Sequence, residues 1–457
     1  MSNFLTYALL IGYFAIVIAI GVRAAYKETS EGFLISDRDR GGFWLGVSLA
    51  SGWFGGDILT FYSGMTYSYG WAPLFWTQVA FGVGLFLLAF CVPQIKDLAD
   101  RFKMYMQPDY FHYKYSRRCG AALLVCNFTL FFAWLMLQFV VGGKLIAGFT
   151  GFPYYLAVVA MATLTLPYLV LGGYKAVIST DILQFLFLAI LCLFLLGKAF
   201  TQNVSEMPLL STVGSMGGAG TFSLVILSSL WTFVAGDIWQ HIYAARSAKA
   251  AKSSLFWAFI FSGVLILMMT LIFMLALPIA KVQGVSEDNF LIFALQNTFS
   301  ATFMPFVILL LCIAIISSLD TAAFGASLTL TNNLASKFGL ISPEFLPLAT
   351  RITLCLLMVF STISALFATD VIYIIYGIMR LSSVAAPVLI ASCLPRWNVS
   401  ERAIFWGLIA GMCCYVIYLI QGWSGAWLDL LPMTVTTVGL LVVNFIDRYK
   451  NTRNKVS

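Results

Sequence analysis

The chain has few charged residues and very little histidine. Asp, Glu, Lys and Arg make up 10% of its 457 residues, whereas the apolar types AVILMFWYC make up 61%. A typical soluble domain has about 25% charged and about 45–50% apolar residues. This composition excludes a soluble enzyme, a disordered protein and a nucleic-acid-binding protein. The net charge of +7 does not indicate a DNA-binding patch, because the basic residues lie in short loops between apolar runs.

The residue types that hold metals and cofactors are equally scarce. His112 and His241 are the only histidines, and no two of the nine cysteines form a C-x-x-C pair. Zinc, haem and iron–sulfur sites need such ligands at such spacings, so we predict no bound cofactor. No arrangement of nucleophile, base and orienting residue indicates an enzyme either.

Long apolar runs dominate the rest of the sequence. Residues 4–22 contain no charge and reach the roughly 20 residues that a transmembrane helix needs. The run is too long for the core of a signal peptide and no small-residue cleavage site follows it, so we expect a retained helix. A further short helix is expected within 281–300. The chain predicts an all-α polytopic membrane protein, a single domain 1–457, with thirteen spans: 4–23, 42–69, 71–93, 119–149, 153–172, 176–198, 221–244, 254–280, 299–333, 347–369, 371–394, 402–421 and 429–446.

The basic residues support this number of spans, since cytoplasmic loops carry an excess of Lys and Arg. If the N-terminus is outside and the C-terminus is cytoplasmic, every basic residue but four falls on the inner side. Lys198 and Lys281 lie outside, and Lys144 and Arg380 lie within spans. A miscounted helix would scramble this pattern. We expect a bacterial inner membrane as the location.

Glycines interrupt span 2. Gly52, Gly55 and Gly56 lie in mid-span just before Asp57, and each glycine costs a helix about 1 kcal/mol relative to alanine. Unwound backbone at that depth is tolerated only where it is buried or lines a cavity. We therefore predict a broken helix. The alternative is close helix packing through small residues.

Span 7 has a related interruption. Residues 233–237 (FVAGD) resemble residues 53–57 (WFGGD), and the two spans are five helices apart. Interrupted helices at matching places in two halves are typical of inverted-repeat transporters. We predict a first repeat of spans 2–6, about residues 42–198, and a second of spans 7–11, about 221–394. Spans 1, 12 and 13 are additions to the repeats.

Ionisable residues inside a bilayer are rare and usually functional. Lys144 either extends to the outer interface or meets a substrate carboxylate. Arg380 needs either a carboxylate on a neighbouring helix or an anionic substrate, and Asp237 serves the site or pairs with a basic loop residue. The ionisable residues well inside the predicted spans are Asp57, Lys144, Asp181, Asp237, Asp320 and Arg380.

Span 9 carries the most specific group of polar residues. Ser317 and Ser318 follow Ala314 by three and four positions, and Thr321 follows Ser318 by three, so all lie on one helical face. Their oxygens suit a hard cation, and sodium, with a single charge, needs fewer carboxylates than calcium. The alternative is hydroxyls that pack or bond back to helix carbonyls.

Taken in this order, four segments resemble the sodium:solute symporter family over about residues 4–447. They are the glycine-rich second span, residues 171–184 (LGGYKAVISTDILQ), residues 237–246 (DIWQHIYAAR) and residues 317–321 (SSLDT). Members of this family have a thirteen-helix form of the leucine-transporter-type inverted-repeat fold. The resemblance therefore implies that fold here.

The resemblance also implies cation sites between the break in span 2 and span 9. In some relatives serine or threonine stands where this chain has Asp320, so the extra carboxylate either strengthens cation binding or carries a proton. The main sodium site maps to the carbonyls of Ser51, Phe54 and Ala314 and the hydroxyls of Ser317 and Ser318. A second cation site, present in some relatives, maps to Asp181, Ser317, Asp320 and Thr321.

The substrate stays open between two classes. Sugar-carrying relatives use amides near the break, where this chain has Trp53 and Ile58, so a sugar is disfavoured. Choline carriers of the family surround a quaternary ammonium with aromatic rings, and Asp320 matches their Ser-Ser-x-Asp pattern. A choline-like or betaine-like compound and a compact amino acid or carboxylate remain candidates. The predicted substrate residues are Trp53, Asp57, Trp134 and Trp239.

The predicted function is sodium-coupled import of a small polar organic solute by alternating access. Sodium is the coupling ion, and the expected partners are the solute, sodium and the lipid bilayer, with no nucleic acid. One alternative is a proton-coupled carrier of a small carboxylate or amino acid. The other is a transporter-like sensor that acts through a partner protein.

Overall fold

The computed structural model describes residues 2–26, 28–200, 216–367, 371–394, 397–423, 425 and 427–456. The predicted end of span 10 at 369 and the basic residues Lys27 and Arg396 lie outside these residues. Regular structure in the described chain is helical, apart from an isolated backbone bridge between Arg40 and Ala245. Short 3-10 turns lie at Ser36–Arg38, Glu287–Asn289, Pro343–Phe345 and Leu428–Leu430. The α-helices are α1 Ser2–Ala25, α2 Ser30–Ile35, α3 Gly42–Trp53, α4 Gly56–Tyr69, α5 Ala72–Phe102, α6 Gln107–Lys114, α7 Arg117–Thr150, α8 Tyr154–Phe200, α9 Gly217–Val234, α10 Gly236–Ala244, α11 Ala248–Val282, α12 Phe290–Thr298, α13 Met304–Leu328, α14 Leu346–Phe367, α15 Val371–Cys393, α16 Glu401–Gln421 and α17 Leu431–Val456.

Thirteen membrane crossings lie within the described residues, as the sequence predicts. Eleven helical segments are long and apolar enough to cross a membrane. One of them, α8, supplies two crossings, because its run of 47 residues leaves the helical backbone region at Gly173. The helices α3 and α4 are each short and together make one crossing. The short helix expected within 281–300 is α12.

Gly173 folds α8 back on itself. Tyr154 at the start of α8 donates a hydrogen bond of 2.7 Å to the carbonyl of Ala365 near the end of α14. Lys198 near the end of α8 lies 5.1 Å from the centre of the Phe303 ring, just before α13. The hydroxyls of Thr331, just after α13, and Thr350, near the start of α14, lie 2.9 Å apart, so the two helices run in opposite directions and both ends of α8 lie on one side of the molecule. Gly173 has a φ of +51° and a Cβ there would lie 2.5 Å from the carbonyl of Phe33, so the bend requires glycine.

Both predicted interruptions are confirmed. The helix of span 2 stops at Trp53 and resumes as α4 at Gly56. In span 7, α9 ends at Val234 and α10 begins at Gly236. The two breaks fall in the spans that begin the two predicted repeats. The residue boundaries of those repeats stay a prediction.

The helix α13 lies at the centre of the molecule. It is rich in apolar residues and is buried on all sides along its length, so it needs protein all round it. Its neighbours are α1, α3, α7, α8 and α14, and beyond Leu328 it continues as a π-helical stretch, Thr329–Ser336. The polar residues of span 9 are therefore enclosed by protein, and they face the break in span 2.

Candidate functional site

Glycine at the break of span 2 lets α13 approach the unwound backbone. A Cβ at Gly55 would lie 2.2 Å from Oγ of Ser318 and 2.4 Å from Oδ1 of Asp57. The N–H of Phe54 donates to the carbonyl of Ser51 over 3.1 Å and so closes the end of α3. The glycine that unwinds the helix thus also makes room for the polar face of α13.

Hydrogen bonds join the break to α13 through residues of the predicted main sodium site. The hydroxyls of Ser51 and Ser317 lie 2.8 Å apart. Ser318 donates a hydrogen bond of 2.6 Å to the carbonyl of Gly52, an oxygen that the predicted set does not include. Ala314 lies one turn earlier on the same helix, and it and the three serines are fully buried. Hydroxyl and carbonyl oxygens of this kind are ligands that hard cations prefer.

Asp181 connects the second predicted cation set to the first. Its Oδ1 accepts a hydrogen bond of 3.0 Å from Ser317. Asp320, one turn after Ser317, instead accepts a hydrogen bond of 2.7 Å from Tyr168 of α8, and the hydroxyl of Thr321 lies 3.5 Å from its other oxygen. The structure thus brings Asp181 to the sodium-site serines and holds Asp320 against α8.

A histidine that the sequence reasoning left unassigned extends this network. Ser48 donates a hydrogen bond of 2.6 Å to Oδ2 of Asp181, and Nε2 of His241 lies 3.1 Å from the same hydroxyl. The other ring nitrogen, Nδ1, lies 2.9 Å from the carbonyl of Asp237 and 3.0 Å from the hydroxyl of Tyr174. His241 is one of only two histidines and lies within residues 237–246. Its rarity and its place in that segment were the features of the sequence that could have indicated this connection.

A cavity of about 150 Å³ lies beside the break of span 2, and a cavity of that size holds a benzene-sized molecule. Trp53, Asp57 and Trp134, three of the four predicted substrate residues, line it. Asp57 is the only carboxylate among the described lining residues, and these include no Lys, Arg or His. Its Oδ1 is buried and has no hydrogen-bond partner within the described chain. The other aromatic walls are Phe61, Tyr62, Phe81 and Trp231.

The fourth predicted substrate residue, Trp239, does not line this cavity. Its side chain is fully buried, and its indole N–H donates a hydrogen bond of 2.7 Å to the carbonyl of Phe233, near the end of α9. Its ring packs edge-on against Tyr110 at 5.2 Å between centroids. Trp239 therefore stabilises the break in span 7. Its prediction as a substrate residue is corrected, because its side chain lies outside the cavity lining.

Asp237 pairs with a residue of the cavity wall. Its Oδ2 accepts a hydrogen bond of 2.8 Å from the indole of Trp53, so its partner is an aromatic side chain instead of a basic loop residue. The Trp53 ring also packs edge-on against Phe81 at 4.8 Å. These two contacts orient Trp53 in the cavity.

The two basic residues within spans both lie away from the cavity lining. Arg380 donates a hydrogen bond of 2.9 Å to Asp429 and lies over the rings of Tyr376 and Tyr418. Its partner is thus a carboxylate and not a substrate anion. Lys144 is exposed on the surface of α7.

Two solved structures share this fold over almost the whole chain. A Na+-coupled sialic acid symporter in a substrate-bound outward-open state has a TM-score of 0.79 at 15% identity, covering 97% of this chain and 96% of that one. A nucleobase-cation-symport-1 family transporter, in a closed conformation with bromovinylhydantoin bound, has a TM-score of 0.64 at 13% identity, covering 90% and 92%. These likenesses confirm the predicted leucine-transporter-type fold.

Sequence relatives identify the family. Sodium/proline symporter 2 of Staphylococcus saprophyticus is 26% identical over 200 residues, which cover 40% of this chain and 37% of that protein. A sodium/proline symporter of Staphylococcus aureus strain JH9 matches to the same extent, so the chain matches little more than a third of the length of these curated relatives. A model of the sodium:solute symporter family matches residues 33–411, and that family consists of transporters and not of enzymes. With its apolar spans, the chain is an integral membrane protein that belongs to the sodium:solute symporter family.

Proposed function

We propose that this protein is a sodium-coupled symporter that imports a small solute bearing an ammonium group. The proposal rests on the contact between the break in span 2 and α13, where the hydroxyls of Ser51 and Ser317 lie 2.8 Å apart. Beside them Ser318 reaches the carbonyl of Gly52 over 2.6 Å. An ion bound by these oxygens binds both elements at once, so it favours the conformation in which they are joined.

The chemistry of the cavity supports an ammonium group on the substrate. Asp57 offers an unpartnered carboxylate oxygen, and aromatic rings attract a cation through their faces. A solute with only a negative charge would lie against Asp57 with no basic side chain among the described lining residues. The Staphylococcus relatives are named sodium/proline symporters, and proline is a small compound with an ammonium group.

Ion and substrate share one unwound segment, which supports coupling. Ser51 of the sodium set and Trp53 of the cavity are two residues apart at the end of α3. Each ligand stabilises the ordered form of this segment, so each raises the affinity for the other by the same factor. Alternating access of the two repeats then allows an inward sodium gradient to drive uptake.

The alternative is a proton-coupled carrier, because the second predicted cation site contains two carboxylates that could carry a proton. Asp181 and Asp320 are both fully buried, and Ser317, one turn before Asp320, donates a hydrogen bond to Asp181, so the two carboxylates repel each other if both are ionised. A proton on either carboxylate would relieve that repulsion, as would a second cation.

We further propose a bacterial inner membrane, with the N-terminus outside and the C-terminus in the cytoplasm, supported by the distribution of the basic residues.

Thermal unfolding of the purified protein in sodium or potassium chloride tests the proposal. Each salt is combined with choline, glycine betaine, amino acids, simple carboxylates, sugars or urea. We expect ammonium-bearing solutes to raise the Tm in sodium and not in potassium, because a ligand stabilises the state that it binds. If the Tm in sodium chloride equals the Tm in potassium chloride with every one of these solutes, the proposal is wrong.

Uptake into proteoliposomes separates the alternatives. An inward sodium gradient at equal pH on both sides should drive accumulation of the solute that raises the Tm. Accumulation driven by a pH gradient at equal sodium would favour the proton-coupled carrier. Sodium-dependent binding without uptake would favour a sensor.

A further inference from the structure

Gln138 of α7 is a buried amide without a hydrogen-bond partner in the part of the chain that the structure describes. Its side chain is fully buried, and neither Oε1 nor Nε2 completes a hydrogen bond within the described residues. Leaving an amide in this state costs free energy, and buried polar groups are nearly always satisfied. An unpartnered buried amide in a transporter therefore points to a ligand that completes its hydrogen bonds.

The amide lies at the break of span 2, beside the carboxylate of Asp57. Its Oε1 would be 3.6 Å from a Cβ on Gly56, the first residue of α4, and the amide and the Asp57 side chain are neighbours. Trp134, one turn earlier on α7, and Leu137 both line the cavity. Gln138 itself is not among the lining residues; it lies beside two of them, Asp57 and Leu137, next to the unwound backbone.

The two neighbouring groups have complementary chemistry. The unpartnered Oδ1 of Asp57 accepts hydrogen bonds only, whereas the Nε2 of Gln138 supplies two N–H donors. The donor matters, because the described cavity lining offers no Lys, Arg or His to a substrate anion. Gln78, also in the lining, has an unpartnered acceptor in its Oε1. Two unpartnered acceptors favour an ammonium group that still carries N–H.

We infer that Gln138 determines specificity by donating a hydrogen bond to a carboxylate of the substrate while Asp57 binds its ammonium group. The substrate class is then a small zwitterion with an N–H-bearing ammonium next to a carboxylate. A quaternary ammonium lacks the N–H, and a simple amine lacks the carboxylate. This inference rests on the proposed function, in that it takes the cavity as the substrate site.

Matched probes test this assignment. The affinities of L-proline and pyrrolidine, and of L-alanine and ethylamine, are measured in sodium by calorimetry, so that each pair differs in the carboxylate alone. Glycine betaine, a zwitterion without N–H, is the fifth probe. We expect the wild type to bind each amino acid at least about tenfold more tightly than its amine, because a hydrogen bond to a charged group contributes about 1.5–3 kcal/mol.

Two variants assign the difference to Gln138. In Gln138→Leu we expect the preference for the carboxylate to fall to within about twofold while the affinity for the amines holds. In Gln138→Glu, which keeps the size of the side chain, the amino acids should bind more weakly still, since two carboxylates repel. The matched control is Gln240→Leu, because Gln240 is another buried glutamine with an unpartnered Nε2 and lies on α10 instead of α7. It should leave the preference unchanged.

The outcomes separate this inference from the function on which it rests. If the wild type binds none of the five probes in sodium and no other ammonium-bearing solute raises its Tm, the proposed function is wrong and the inference is overturned with it. If another ammonium-bearing solute raises the Tm while the five probes fail to bind, only the inference is overturned. If amines bind as tightly as amino acids, or glycine betaine as tightly as L-proline, only the inference is overturned. The same holds if Gln138→Leu weakens both members of each pair equally, because a merely structural role predicts that result.

Discussion

The indole N–H of Trp53 donates a hydrogen bond of 2.8 Å to the carboxylate of Asp237. Trp53 is the last residue of α3 and Asp237 lies in the first turn of α10. The bond therefore joins the two broken helices directly, at a ring that also lines the proposed substrate cavity. A movement of either break changes the orientation of a cavity wall.

Removing this bond should weaken substrate binding. In Asp237→Asn the charge that strengthens the hydrogen bond is lost, and in Trp53→Phe the donor is lost. We expect each variant to raise the Kd of the solute by roughly tenfold, since hydrogen bonds to charged groups contribute about 1.5–3 kcal/mol. The double variant should be little worse than either single one, because both remove the same interaction. Additive losses, measured by calorimetry in sodium, would show that the two residues act independently.

The serines of α13 should determine sodium affinity. Ser317→Ala and Ser318→Ala each remove one oxygen that faces the break. We expect the sodium concentration that gives half of the Tm increase to rise about tenfold in each variant, equivalent to 1.4 kcal/mol. Ser327→Ala is the control, because Ser327 is buried on the same helix and its hydroxyl donates to the carbonyl of Phe324, one turn earlier on that helix. An equal effect of all three substitutions would contradict the sodium-site assignment.

Asp320→Ser tests the second cation site. The substitution removes a fully buried carboxylate that accepts a hydrogen bond from Tyr168. If Asp320 binds a second cation, the sodium Hill coefficient of uptake should fall while the main-site affinity holds. An unchanged Hill coefficient together with an unchanged pH profile would remove Asp320 from the cation-binding residues.

The pair of Arg380 and Asp429 should stabilise the fold and leave substrate choice unaffected. Both residues are buried, and removing one partner leaves the other charge uncompensated. We expect Arg380→Met to lower the free energy of unfolding by about 3–5 kcal/mol, measured by thermal unfolding in detergent. Arg380→Met combined with Asp429→Asn should recover part of this loss. A changed substrate preference without a stability loss would instead support a contact with an anionic substrate.

Much of the fold follows from the sequence alone. Apolar run lengths and the inner-side bias of Lys and Arg predict thirteen crossings because the bilayer imposes a length and a charge rule on each segment separately. The break of span 2 is also a local property, since Gly52, Gly55 and Gly56 weaken the helix wherever it packs. The polar face of α13 follows from helical periodicity.

The tertiary structure decides which side chains share a site. Trp134 and Trp239 are both tryptophans within predicted spans, yet Trp134 lines the cavity and Trp239 caps a carbonyl of α9, because helix rotation is set by packing. The contact between Ser48 and His241 joins residues 193 positions apart, which no local pattern encodes. Gln138 is distinguished only by the partners it lacks. The sequence by itself determined the crossings and where they break, because each depends on one segment in lipid, and only the packing of those segments decided which polar atoms meet.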